Sequence, residues 1–220
     1  MSPRVTEAPA DCPLCPRLVA YREANSAAEP DWFNGAVPSF LPADGEDDVR
    51  LLIIGLAPGR GGANRTGRPF TGDWAGDLLY ATLIKFGLAS GTYDKRPDDG
   101  LTLHQVAITN AVRCVPPENK PVAAEINACK PFLQGRIEAL PNLKAILCLG
   151  KVSHDATLRT LGHRLAASPF GHDTAYDLEG PNGLVRIRSS YHCSRYNTNT
   201  GRLTDEMFER VIGACADDIA

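Results

Sequence analysis

The sequence has no long apolar run, few aromatic residues and no marked excess of charge of either sign. In its 220 residues no stretch approaches the roughly 18 to 20 apolar residues of a bilayer span, which argues against a helical membrane protein. Met1-Ser2-Pro3-Arg4 leads into a polar stretch rather than an apolar h-region, so a secretory leader is not expected and a cytoplasmic location follows by default. A formal net charge of −3 supplies no general attraction to nucleic acid, so any such contact must rest on a local basic surface. Repeats and low-complexity tracts are absent. With 43% apolar and 22% charged residues, disorder, coiled coil and collagen-like folds are poor readings. One domain spanning residues 1–220 is expected, as a monomer.

Seven cysteines stand out against this background. In a reducing compartment an odd count points away from disulfides and toward a metal. Cys12 and Cys15 form a CxxC, and Cys114 and Cys129 lie far downstream with 14 residues between them. One close pair plus two separated thiols fits an iron–sulfur cluster, with zinc as the runner-up, because structural zinc more often takes two close pairs or a pair plus histidines. Its role is expected to be structural, since no flavin or electron-transfer signature accompanies it. Cys148, inside an apolar strand, reads as a small buried hydrophobe, and Cys193 and Cys215 as non-ligands.

Pro and Gly cluster at 26–48, 57–72, 87–100 and 116–121, marking long loops. Between them 49–56, 105–109, 144–149 and 184–189 read as strands, the first and third buried on both faces. Helical spacing follows at 74–86, at 122–140 with a break expected near Pro131, at 152–161 and at 204–214. Four strand–helix alternations predict an α/β fold, a three-layer α/β/α sandwich around a central, mainly parallel four-stranded sheet. Ligands of such sheets sit beyond the carboxyl ends of the strands, which directs attention to the loops beginning at Leu56, Asn110, Gly150 and Ser190.

The first loop, GLAPGRGGANRTGRPFTGD from Gly55 to Asp73, holds six glycines in nineteen residues. A glycine-rich loop after a strand first suggests phosphate binding, but there is no Gly-Lys-Ser/Thr and the next helix starts late, near Trp74. Together with TNAVRCVPPENKP from Thr109, followed by Cys129, and SYHCSRYNTNTGRLT from Ser190, this loop resembles the motifs of the uracil-DNA glycosylase superfamily, specifically its family 5 (type B). The likeness runs from Cys12 to about Thr204 and joins three separated motifs in the right order. Family 4 shares the four-cysteine [4Fe–4S] pattern but opens its first motif with Glu-Ala-Pro-Gly, where this chain has Leu56-Ala57.

The resemblance implies a DNA repair enzyme that flips uracil out of double- or single-stranded DNA and hydrolyses its N-glycosidic bond, leaving an abasic site. Hypoxanthine and xanthine are implied as further bases. Without a lysine in the pocket motifs to form a Schiff base, it would be monofunctional. A structural [4Fe–4S] cluster would be held by Cys12, Cys15, Cys114 and Cys129, tying the N-terminal CxxC segment to the domain. A non-catalytic iron–sulfur module that binds DNA damage is the alternative, and a nucleotide-binding enzyme of small substrates a third reading.

Taken alone, Phe70 reads as a loop-anchoring aromatic, Asn110 as a turn residue, His192 as a structural histidine and Asp73 as a helix N-cap. The resemblance gives Phe70 the part of a stacking platform and Asn110 that of the uracil reader, and makes His192 the donor to the O2 of the departing base. Leu56, Ala57 and Gly59 complete the substrate-binding set, with backbone N–H groups near Leu56 and Ala57 assisting at O2. Other families place Asp or Asn near position 57 to orient water. Ala57 has no such group, and Asp73 is the available carboxylate, so the catalytic candidates are His192, Asp73 and Asn110. Arg60, Arg65, Arg68, Arg195 and Asn197 are expected to hold DNA, and Arg113, Lys120 and Arg202 also fall in these loops. A basic face built from them would bind phosphates in a salt-sensitive way.

Overall fold

The computed structural model describes residues 5–220; residues 1–4, which enter the leader argument, lie outside them. In chain order the elements are helix α1 (Pro16–Ala28), strand β1 (Leu51–Gly55), helices α2 (Ala63–Thr66) and α3 (Trp74–Lys85) and strands β2 (Ala89–Ser90), β3 (Thr102–Leu103) and β4 (Val106–Asn110). Helix α4 (Ala123–Glu138), strand β5 (Ala145–Leu149), helix α5 (Lys151–Thr160), strands β6 (Thr174–Gly180) and β7 (Gly183–Ser190), and helices α6 (Arg195–Asn199) and α7 (Asp205–Ile219) follow.

The main sheet has the order β4-β1-β5-β7-β6. Its first four strands are parallel, and β6 runs antiparallel to β7 at the edge. Side chains alternate across the sheet with period two. Leu51, Ile53, Ala145 and Leu147 pack with α3 and α7. Leu52, Ile54, Ile146 and Cys148 pack with α4 and α5. Both faces of β1 and β5 are therefore covered, which is why these strands read as continuous apolar runs and why the fold has three layers. No helix among the described residues is long and apolar enough to cross a membrane.

The sheet has five strands rather than four. The additional strand, β6, is TAYDLEG, whose residues alternate between half-buried and exposed along an open edge. It lacks the apolar content of a central strand, and the Pro181-Asn182 turn into β7 is its clearest sequence signal. The break expected at Pro131 does not occur: α4 continues through it. A proline removes one helical hydrogen bond, but Phe132, Leu133 and Ile137 on the following turn are buried, and that packing carries the helix across. Helix α1 was not anticipated either, because it buries only Leu18, Arg22 and Asn25 and so carries no apolar stripe.

The N-terminal segment is fastened by charge. Glu7 lies 3.1 Å from the Arg113 guanidinium and 2.6 Å from that of Arg136, and it also accepts the Ser39 N–H at 3.1 Å. Arg113 and Arg136 are almost wholly buried. Arg113 therefore belongs to the interior and not to a basic face. Glu7→Ala would leave the buried Arg113 without a carboxylate, while Arg136 keeps Glu46, so the change should cost about 3 kcal/mol of stability. That loss would appear as a lower denaturant midpoint at unchanged slope, and an unchanged midpoint would show that Glu7 is dispensable.

Candidate active site

Parallel register brings the strand ends into line, with Gly55 opposite Asn110 and Leu149 opposite Ser190. From neighbouring β1 and β5 the chain leaves toward opposite faces, and a cavity of about 460 Å³ opens between them. Leu56, Ala57, Gly59, Phe70 and Asp73 line it from the loop after β1, Asn110 from the end of β4, and His192 from the loop after β7. All seven residues expected to bind substrate or act on it share this one cavity.

Phe70 and His192 stack within the cavity wall, their ring centroids 5.7 Å apart and their planes inclined by 24°. Phe70 has φ +53°, a left-handed conformation that costs an ordinary side chain about 1–2 kcal/mol. A Cβ on Gly55 would overlap both Asn110 Oδ1 and the Phe70 ring, so glycine at the end of β1 is what lets these two side chains approach each other. Burial lowers the His192 imidazole from 6.5 to about 4. Its Nδ1 is buried with no hydrogen-bond partner among the described residues. The ring is thus neutral at physiological pH, and its backbone carbonyl is held by Asn197 Nδ2 at 2.8 Å.

Asp73 fills two positions at once. Its Oδ1 accepts the Ala75 N–H at 3.2 Å and caps α3. Its carboxylate also packs over Gly59 and Gly62, where a Cβ would collide with Oδ2. Burial raises its pKa above the ordinary 3.8, against the lowering effect of the backbone hydrogen bonds.

Leu149 to Ser153, Trp74, Ser194 and Asn119 also line the cavity; the loop at Gly150 was among those singled out, but none of these residues was named as a site residue. The signal available was Gly150, whose φ of +99° turns β5 directly into α5. At the mouth, Trp74 donates to Thr198 Oγ1 at 3.0 Å, and the Arg195 guanidinium lies 5.5 Å from the Trp74 ring centre.

The residues expected to hold DNA separate. Arg195 lines the cavity and is exposed. Arg60 lies over Trp32 at 5.0 Å and bonds Asn25 Oδ1 at 2.8 Å, while Arg65 folds onto the Gly61 carbonyl of its own loop at 2.9 Å. Asn197 turns inward to His192 as described. Arg68 is buried, paired with Asp99 at 2.8 Å, and presents no guanidinium to solvent.

Cys12, Cys15, Cys114 and Cys129 meet in a separate apolar group with Leu18, Val112 and Phe132. Ala57 packs against the same group, so the cysteines and the cavity share a wall. Arg22 approaches Cys114 Sγ at 3.6 Å, and the Arg113 N–H donates to Cys129 Sγ at 3.4 Å. Burial first, and then neighbouring sulfurs, push Cys15, Cys114 and Cys129 up to about 11. Such thiols ionise together only when a cation neutralises them. No arrangement of three or more His, Cys, Asp or Glu side chains among the described residues fits a metal ion. Cys148, Cys193 and Cys215 are buried in the two sheet-facing cores, apart from this group.

Comparison with known proteins agrees with this geometry. The family model of the uracil DNA glycosylase superfamily matches residues 42–215. A type-5 uracil-DNA glycosylase of Thermus thermophilus is 44% identical over 91% of this chain and 90% of its own length. One from Pyrobaculum aerophilum is 38% identical over 94% and 89%. A type-4 uracil-DNA glycosylase of Sulfurisphaera tokodaii is 30% identical over 78% and 72%. With the superfamily model matched across the sheet and type-5 relatives aligned over nearly the whole chain, this protein belongs to the type-5 uracil-DNA glycosylase family.

Proposed function

We propose that this chain is a monofunctional uracil-DNA glycosylase that takes a flipped uracil into the cavity, hydrolyses its N-glycosidic bond and leaves an abasic site. One observation carries the reading: three separate loops deliver an aromatic ring, a carboxamide, a neutral imidazole and a carboxylate to one cavity. The base stacks on Phe70. The Asn110 amide pairs with uracil O4 and N3–H, where cytosine presents the opposite donor and acceptor pattern. As the bond breaks, negative charge collects on O2, and a neutral His192 N–H donates to it without a general-acid step. Ala57 carries no side-chain oxygen, so Asp73 is the carboxylate that steadies the sugar cation and its water. A cavity of about 460 Å³ leaves room for the deaminated purines hypoxanthine and xanthine as well.

The protein acts as a single-domain monomer in the cytoplasm, on double- or single-stranded uracil-containing DNA. Arg195 at the mouth and Arg60 and Arg65 on the glycine-rich loop supply the phosphate contacts. Cys12, Cys15, Cys114 and Cys129 hold a [4Fe–4S] cluster. The donor set fits this group: four thiols in one apolar pocket, with a guanidinium and a backbone N–H directed at two of the sulfurs. When bound, the cluster ties the N-terminal segment to β4's loop and to α4.

Labelled duplexes carrying uracil opposite guanine test the activity directly. Strand breakage only after alkali is expected, and tight binding with no alkali-labile product would instead assign a damage-binding module. His192→Ala should lower excision by about 10²–10³-fold with the iron–sulfur absorbance intact, and wild-type rates in this variant would remove His192 from the mechanism.

The pH profile follows from two signs. His192 stays neutral as pH falls through 6.5, and Asp73, raised above 3.8, must be ionised. The excision rate should therefore show no fall as pH drops through 6.5, and should decline only on the acid side, where Asp73 and then His192 take up protons. An inflection at the ordinary histidine value would contradict a neutral, buried ring. Cys114→Ala should purify without its full iron content and with lower solubility; an iron-replete variant would mean that the ligand is another residue.

A further inference from the structure

Behind Phe70 lies a polar network none of whose side chains lines the cavity. Arg68 is buried beneath the rings of Phe40, Tyr80 and Tyr93, at 5.1, 5.6 and 6.0 Å from their centres. Asp99 clamps it through both carboxylate oxygens, at 2.9 and 2.8 Å. Asp99 also accepts the backbone N–H groups of Asp94 and Leu101, at 2.9 and 3.2 Å. Although burial by itself raises it, the Arg68 guanidinium and these two amides bring the Asp99 carboxyl down to about 2, so the clamp is charged throughout the working range. Tyr93, Asp94 and Asp99 all belong to the loop that joins β2 to β3.

Both aromatic hydroxyls of this network end on the backbone around Phe70. Tyr80 donates to the Pro69 carbonyl at 2.6 Å. Tyr93 donates to the Phe70 carbonyl at 3.2 Å and accepts the Gly72 N–H at 3.3 Å. The peptide groups on either side of the left-handed Phe70 are thus fixed by two phenols whose rings lie 4.7 Å apart. Gly76 leaves the space in which this happens, since a Cβ there would overlap both the Phe70 carbonyl oxygen and the Tyr93 hydroxyl. Buried rings and an ion pair around Arg68 account for packing. They do not account for a phenol that brackets the one residue of the loop forced to φ +53°.

We propose that Tyr93 is a positioning residue for base stacking: its hydroxyl, backed by the Arg68–Asp99 clamp, holds Phe70 in its left-handed conformation so that the ring is set before the base arrives. The inference rests on the reading of Phe70 as the stacking platform. A free Phe70 would relax toward ordinary backbone angles and carry its ring out of line with the base, and misplacement of about 1 Å is enough to slow a reaction severely. The loop between β2 and β3, remote from the cavity in sequence and absent from its lining, thereby contributes to the geometry of excision.

Wild type, Tyr93→Phe, Asp99→Asn and Phe70→Ala should be compared by single-turnover excision of uracil, inhibition by free uracil, and affinity for a uracil-free duplex. Tyr93→Phe keeps the ring over Arg68 and removes only the hydroxyl. It should slow excision and weaken uracil inhibition about tenfold each, while duplex affinity and iron–sulfur absorbance stay unchanged. Asp99→Asn should shift the same two quantities in the same direction by a smaller factor, and it decides the matter if Tyr93→Phe does not fold. A purely structural network would lower the melting temperature and leave uracil inhibition alone in folded protein. If both variants retain wild-type excision and uracil inhibition while Phe70→Ala loses them, Tyr93 has no positioning role. Wild-type behaviour of Phe70→Ala would remove the platform itself, and this inference with it.

Discussion

Parallel pairing of β1 with β4 on one side and β5 on the other fixes where everything else in the molecule can lie. Because the three strands end level, their following loops start from neighbouring points on one edge, and the crossovers from β1 and β5 depart to opposite faces. A cleft between them is then a geometric necessity. Residues as far apart in the chain as Phe70, Asn110 and His192 become neighbours without any of them being adjacent in sequence. The strand cores, apolar on both faces, make that register rigid, since slipping one strand by a residue would turn buried side chains toward the wrong layer.

Rigidity at the edge is used to hold groups in states they would not choose in water. His192 is kept neutral by burial, and Asp73 is raised by it while still capping α3. Phe70 is kept in a backbone conformation that an unsupported loop would leave. Each state is unfavourable locally and is sustained by the packing around it, a pattern common where geometry serves chemistry. Glycines do the complementary work: Gly55, Gly59, Gly62 and Gly76 are positions at which a side chain would collide with Asn110, Phe70, Asp73 or Tyr93. The density of glycine in the first loop therefore reflects close approach by the protein's own side chains, and not the phosphate cradle that such a loop first suggests.

The N-terminal segment shows how a polar, weakly helical stretch is made part of a folded domain. Leu18 and the cysteines bury a small apolar group, Glu7 bridges two interior arginines of which Arg136 also pairs with Glu46, and Arg22 reaches Cys114. Ala57 touches this group on one side and the cavity on the other.

The sequence by itself determined the layered α/β architecture, because buried parallel strands and amphipathic helices carry strong local patterns, and it pointed to the strand-end loops whose residues line the cavity, because three motifs resembling one family sit there. Asp73 was legible both as a cap and as a carboxylate of the site, and the structure shows it capping α3 while lining the cavity. Local pattern could not reveal β6, whose edge position leaves alternate residues exposed, nor α1, whose one buried apolar residue, Leu18, gains meaning only against the cysteines. It could not distinguish Arg68 and Arg113 from surface arginines, since burial of a guanidinium depends on Asp99 and Glu7, partners 31 and 106 residues away in the chain. Nor could it show that Tyr93 serves Phe70. Periodicity reports which face of an element is apolar, whereas the pairing of charges and the fixing of a strained loop are contacts between distant segments, and only the tertiary structure decides those.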